Sequence, residues 1–326
     1  MERKKSLLER RSLTAQTGAT YDRLIRNYAA FCAENGFPEA PGPRTDVILL
    51  DLFDKWFLEG YGPNVGEKME AALCFREPRL KEMMEWSLVR SRRALKGWRR
   101  AAPAGSRLPF PVLLVCGLVE GLMAGGNWLM GIYLLLAFVC YLRPHEGLDL
   151  KVRDIIPPVR GAGASMDAYV IIVRNSLDGI PDKVGVFDNS LRLDQLIAPS
   201  LGRVLHDLCR GRKEEEKLFP FSLSQCTGEL NSMARKLGIN GQVSVYQCQD
   251  GGAAHDLCNK LRPRGEVQAR GRWVAEASLK RYTKVGKTQS MLVNLGRPVL
   301  NYLRASERRI DALVARGVRA TLPPQA

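Results

Sequence analysis

Histidine is scarce, with three in 326 residues, too few for a histidine-based metal centre. The eight cysteines, at 32, 74, 116, 140, 209, 226, 248 and 258, include no Cys-x-x-Cys pair. Cys248, His255 and Cys258 fall close together but miss the spacing of a zinc site, so no metal is expected. No uninterrupted apolar run reaches the ~20 residues of a membrane span. The longest stretch, residues 110–142, is split by Glu120 and by Ala124-Gly125-Gly126-Asn127 and reads as two buried helices. A phosphate-binding loop is absent as well. Gly286-Lys287-Thr288 ends like one, but Arg281 stands where its first glycine is required. No internal repeat is visible. The N-terminus, Met1-Glu2-Arg3-Lys4-Lys5, is charged throughout and unlike a secretory leader. With scattered cysteines, this predicts reduced thiols in an intracellular protein. His145 and His206 are expected to satisfy local hydrogen bonds.

Acidic residues are in deficit. Against 34 Asp and Glu stand 49 Lys and Arg, a net charge of +15. Such an excess predicts a polyanionic partner, nucleic acid first and an anionic membrane surface second. The length allows one large domain or two ordinary ones.

Apolar residues Tyr21, Leu24, Ile25, Tyr28 and Cys32 recur at three and four, predicting a helix over about 20–34 capped by Thr17 or Thr20. Asp46 is the expected cap of a second helix to about 58. A third is expected over 65–74 and a fourth over 78–100. The fourth exits through Arg90, Arg92, Arg93, Lys96, Arg99 and Arg100, which read either as a solvated face or as DNA-backbone contacts. Residues 101–106 (Ala-Ala-Pro-Ala-Gly-Ser) form a linker between a helical domain, 1–100, and a second domain, 107–326. Beyond the two apolar helices, residues 168–175 read as a strand and 183–188 as the return of a hairpin, with Lys183 near its tip. Helices are expected over 201–209, 223–236, 251–261, 264–271, 276–285 and 297–316. The last can pack on its own core or dock on a neighbouring protomer. The fold class is mainly α with a small β-sheet.

Two sites carry chemistry. Arg143 follows directly on a long buried run, and an arginine there must be paired or aimed into a site. Glu146, three residues on, is its natural partner. Tyr282 lies in a basic setting of Arg270, Arg272, Lys280, Arg281, Lys284 and Lys287. A phenol, with an ordinary pKa near ~10, is a poor nucleophile at neutrality. Surrounding cations favour its phenolate and attract a phosphodiester. The same stretch also reads as an aromatic anchor on a solvated basic helix.

Taken together and in order, these blocks resemble the tyrosine recombinases, the phage-type integrases, and among them the eukaryotic transposon-like branch. Tyr141-Leu-Arg-Pro-His-Glu146 resembles the block holding the first catalytic arginine, which gives Arg143 that role and Glu146 its support. Pro181-Asp-Lys-Val-Gly185 resembles the hairpin turn of the catalytic lysine, making Lys183 the candidate general acid. Arg272-Trp273 resembles the His/Trp position, and Tyr282 follows Trp273 by the family's nine residues. The family's His-x-x-Arg motif is altered. Tyr246 stands at its histidine and Gln249 at its second arginine, beside Asp250. The loss of that charge implies a rate deficit of at least ~10²-fold.

The resemblance implies a core-binding (SAM-like) domain followed by a catalytic domain of the DNA breaking-rejoining fold. It implies site-specific recombination or integration through a 3′-phosphotyrosine, as in mobile elements, with no cofactor or metal and no small-molecule ligand. The partner would be double-stranded DNA, on which the protein could assemble as a dimer or tetramer. Arg270, Arg272, Lys280 and Arg281 would join the exit of the fourth helix in contacting it. The protein would be DNA-associated, in the nucleus if eukaryotic and otherwise in the cytoplasm or nucleoid. The alternative is a catalytically inactive DNA-binding protein of the same fold.

Overall fold

Helical periodicity dominates the chain, and the computed structural model is correspondingly helical. It describes residues 6–103, 107–179, 186–239, 243–276, 279, 282 and 285–321. Two compact units divide at Ser106 and Arg107.

The first unit holds α1 (Leu7–Arg11), α2 (Ala15–Glu34), α3 (Thr45–Leu58), α4 (Pro63–Arg76), α5 (Arg79–Glu82) and α6 (Val89–Ala101). Its core is the apolar stripe of each long helix: Leu24, Tyr28 and Phe31 from α2, Leu49, Leu52 and Phe53 from α3, Met69 and Leu73 from α4, Leu95 and Trp98 from α6. Helix α2 starts earlier than expected. Thr14, not Thr17 or Thr20, is its cap, accepting from the Thr17 amide at 3.2 Å.

The expected single helix over 78–100 is broken. Met83 and Ser87 adopt extended backbone around a turn of 3₁₀ helix, and Arg79 lies 4.2 Å over the Trp86 ring. Helix α6 then starts afresh, with the Arg90 and Ser91 amides donating to the Asp46 carboxylate at 3.0 and 2.8 Å. Asp46 therefore caps α6 across the unit and not its own helix, satisfying two of the donors every helix start leaves open.

The second unit is built around α7 (Val112–Ala124) and α8 (Trp128–Val139), which are buried on most sides, as helices this apolar must be. Around them lie α9 (Pro144–Leu148), α10 (Leu201–Cys209), α11 (Leu223–Lys236), α12 (Tyr246–Cys258), α13 (Arg264–Arg270), α14 (Val285–Val293) and α15 (Arg297–Thr321). Strands β1 (Ile155–Ile156), β2 (Val170–Val173) and β3 (Asn189–Arg192) form one antiparallel sheet in that order, with Ile155 opposite Ile171 and Val170 opposite Arg192. The fold is thus mainly α with a small sheet. Among the described residues no helix is long and apolar enough to cross a membrane.

Helix α15 packs in cis. Leu303, Ile310 and Val314 are buried in the unit's own core, the Tyr302 hydroxyl donates to Gly117 O at 3.0 Å, and Arg309 pairs with Glu120. Helix α12 begins at Tyr246, five residues before its expected start, so Gly251 and Gly252 lie inside it. A Cβ on Gly252 would sit 1.8 Å from Phe138 O, and one on Gly251 2.3 Å from Phe110 O. Only glycine lets α12 approach α8 this closely. Helix α14 was not foreseen; the helix expected over 276–285 falls mostly outside the described residues.

Candidate active site

The buried run of α8 ends where Tyr141 takes left-handed backbone (φ 49°) and turns the chain outward. Pro144 then opens α9, and Glu146 in its first turn reaches back to the Arg143 amide at 2.8 Å. The other Glu146 oxygen accepts from Arg143 Nη1 at 2.6 Å. This pairing is the one anticipated from the residues' spacing.

Glu146 has a second partner. Arg272 Nη2 donates to it at 2.6 Å and also to Tyr141 O at 2.9 Å, while Arg272 Nη1 donates to Arg270 O at 2.6 Å. The side chains of Glu146 and Arg272 are only 1% and 2% exposed, and that of Arg143 is 11% exposed. Burial by itself would raise the Glu146 carboxyl, but Arg272 and then Arg143 outweigh it and hold it below the ordinary glutamate value. Burial draws the Arg272 guanidinium down, with Glu146 opposing. It starts so far above neutrality that it stays charged.

Trp273, next in the chain, meets two tyrosines. Its ring stacks on Tyr141 at 6.3 Å and 10°, and meets Tyr282 at 4.7 Å and 31°. Tyr141, Ala253, Val267 and Leu279, with Trp273, Tyr282 and Leu257 against them, form a small apolar cluster separate from the main core. The Tyr141 hydroxyl donates to Asp256, which pairs with Arg262 at 2.9 Å; Arg262 in turn reaches Asp194 at 2.6 Å. Burial, and then Asp256, push the Tyr141 phenol well up, so this tyrosine stays protonated. Arg143, Glu146, Arg272, Trp273 and Tyr282 thus form one contiguous line of contacts.

Tyr246 and Gln249 both lie on α12. Tyr246 is half-buried beneath Arg107, whose guanidinium is 4.5 Å from its ring. Gln249 is 5% exposed, and its side-chain amide has no hydrogen-bond partner among the described residues. Lys183, Lys280 and Arg281 lie outside the described residues. Both feet of the segment carrying Lys183 are tied down. Asp178 accepts from Lys151 and Arg153 at 2.6 Å each, and the Asp188 amide donates to Arg174 O at 2.9 Å.

Arg270 and Arg272 are not the surface cations expected. Both are buried, and Arg270 donates to Val139 O at 3.0 Å and Arg192 O at 2.9 Å. Their guanidinia are engaged inside the protein and are not available to a phosphate backbone. The six basic residues of α6 are exposed. Arg92 pairs with Glu70 and Arg99 with Glu67, each at 2.6 Å; Arg90, Arg93, Lys96 and Arg100 have no ion pair among the described residues. The eight cysteines are free thiols. Burial pushes those at 116 and 226 up to about 12 and lowers His145 and His255 below the ordinary imidazole value. Among the described residues, no three His, Cys, Asp or Glu converge on a metal-holding site.

The sequence reading missed Asp256, Arg262 and Asp194, which orient Tyr141, as well as Arg107 on Tyr246. Asp256 and Arg262 are six residues apart, but their links to Tyr141 and Asp194, and that of Arg107 to Tyr246, span long stretches of chain that no local signal marks.

No family model matches the sequence, and no curated protein matches it. Solved structures do resemble its fold. A lambda integrase dimer bound to a COC′ core site superposes with a TM-score of 0.58 at 14% identity, over 85% of this chain and 73% of that one. Lambda integrase residues 75–356, as a dimer on the same site, gives 0.58 at 14% over 85% and 91%. XerH site-specific recombinase in a post-cleavage complex with palindromic difH substrate gives 0.52 at 13% over 75% and 70%. At such identities the likeness concerns the fold, and the chain has the fold of the tyrosine recombinases.

Proposed function

We propose that this protein is a site-specific DNA recombinase or integrase that cuts and rejoins duplex DNA through a 3′-phosphotyrosine. The observation that carries the reading is the continuous contact from Arg143 through Glu146 and Arg272 to Trp273 and Tyr282. It joins a phosphate-binding cation to a nucleophile. In the proposed step the Tyr282 phenolate oxygen attacks the phosphorus, the bond to the 5′-oxygen breaks, and that oxygen takes a proton from Lys183. Arg143 neutralises charge building on the non-bridging oxygens. The covalent phosphotyrosine retains the bond energy for attack by another 5′-hydroxyl, which restores Tyr282. Residues 1–100 would act as the core-binding domain and 107–326 as the catalytic domain. Assembly as a dimer or tetramer on DNA, and descent from a eukaryotic transposon-like element, belong to the same reading.

Gln249 favours a second reading. An uncharged amide where the resemblance expects an arginine suits a DNA-binding protein that has lost catalysis. A nicked suicide duplex separates the two. A covalent protein–DNA band on a denaturing gel, absent from Tyr282→Phe, is the expected result. Salt-sensitive DNA binding without a band, restored to cleavage by Gln249→Arg, would identify a decayed recombinase. No band in either protein would overturn the assignment of Tyr282.

A further inference from the structure

Arg272 approaches the site from within. Its Nη atoms reach three acceptors, Arg270 O, Tyr141 O and the Glu146 carboxylate, that only a planar fork can meet together. Its own carbonyl faces Arg143 Nη2 at 3.5 Å, so the two arginines clasp each other through side chain and backbone. Its backbone is left-handed (φ 54°), a conformation that costs a residue with a Cβ about 1 kcal/mol or more unless its surroundings hold it. That turn directs Trp273 onto Tyr141 and Tyr282.

We propose that Arg272 is a positioning residue that locks Arg143 and Tyr282 into one geometry, holding Glu146 from beneath and fixing the backbone from which Trp273 meets Tyr282. The inference deepens the recombinase reading and rests on it for the reaction concerned. Arg272 is too deeply buried to touch a phosphate, so it acts through its neighbours. Its charge matters as well as its shape. Glu146 alone would cancel Arg143, whereas two guanidinia on one carboxylate leave the group with net +1 to present to the phosphate. That surplus is the field on which Arg143 relies.

The test compares Arg272→Met, Arg272→Lys and Glu146→Gln in the full chain, with three readouts. The first is duplex affinity, the second the rate of covalent complex formation at saturating DNA, and the third acrylamide quenching of Trp273, isolated by subtracting Trp273→Phe. Arg272→Met should keep DNA affinity within about twofold while the covalent step slows ~10²-fold, the scale of a misplaced reacting group. Arg272→Lys should be nearly as slow, and tens of millimolar guanidinium should partly restore an Arg272→Ala variant. Trp273 should become more accessible in the Met variant. A merely structural ion pair would change thermal stability and leave the rate at saturation unchanged, and that result would overturn the proposal. If the wild type forms no covalent complex, the recombinase reading fails separately. Quenching still decides the positioning role, since a Trp273 as protected in Arg272→Met as in the wild type would refute it.

Discussion

Tyr282 rests its ring on Trp273, 4.7 Å between centroids, and the indole also stacks on Tyr141. On the recombinase reading, this aromatic surface aims the nucleophile. Trp273→Ala should slow covalent complex formation by ~10²-fold through loss of orientation. Trp273→Phe should lose less than about tenfold, because an aromatic pair contributes about 0.5–1.5 kcal/mol beyond burial. Single-turnover kinetics on a suicide substrate would measure both. Equal loss in the two variants would mean that the indole acts otherwise than as a stacking surface.

On α6 the charges divide into two sets. Arg92 and Arg99 are partnered by Glu70 and Glu67, whereas Arg93 and Lys96 are unpaired among the described residues. If α6 contacts the DNA backbone, changing Arg93 and Lys96 together to Ala should reduce the slope of log affinity against log salt by about 2 and weaken binding to any sequence alike. The Arg92/Arg99 double variant should change the slope much less. Titrations by fluorescence anisotropy from low to moderate salt would show it. Identical slopes in all three proteins would return α6 to the status of a solvated face.

The Arg143–Glu146 pair could be read from the sequence because both residues belong to one turn and an arginine interrupts an apolar run. Arg272 could not be placed that way. Its charge suggested a surface, and only Glu146, brought from 126 residues earlier in the chain, makes its burial tolerable. Local periodicity found the long helices but ran 78–100 together, since the break there depends on Arg79 stacking on Trp86 and on Asp46 capping from another helix. Gly251-Gly252 suggested a helix start; their reason is a neighbouring backbone that no local pattern reveals.

That contact gives a stability prediction. Adding one methyl at Gly252 drives it against Phe138 O, a backbone atom that cannot rotate away. Gly252→Ala should destabilise the second unit by at least about 3 kcal/mol, the upper range for overpacking. Gly265→Ala on α13, with open space around it, should stabilise slightly or do nothing. Thermal melts of the two variants test the contrast. A Gly252→Ala protein melting with the wild type would show that α12 does not lie this close to α8.

Glu146 also sets a pH dependence. Its folded-state pKa is depressed, so its ionic contribution is complete above the unfolded value of ~4.3 and is lost as pH falls through the lower folded value. Glu146→Gln leaves Arg143 and Arg272 facing each other without a counter-charge. At pH 7 that should cost about 3–5 kcal/mol, the usual consequence of removing one member of a buried pair. The difference between wild type and variant should stay constant from pH 7 to pH 5 and shrink only at more acid pH, where the wild-type carboxyl itself becomes neutral. Urea denaturation of both proteins across that range measures it. A gap already closing between pH 6 and pH 5 would mean that Glu146 titrates above its ordinary value, and that the two guanidinia do not outweigh its burial.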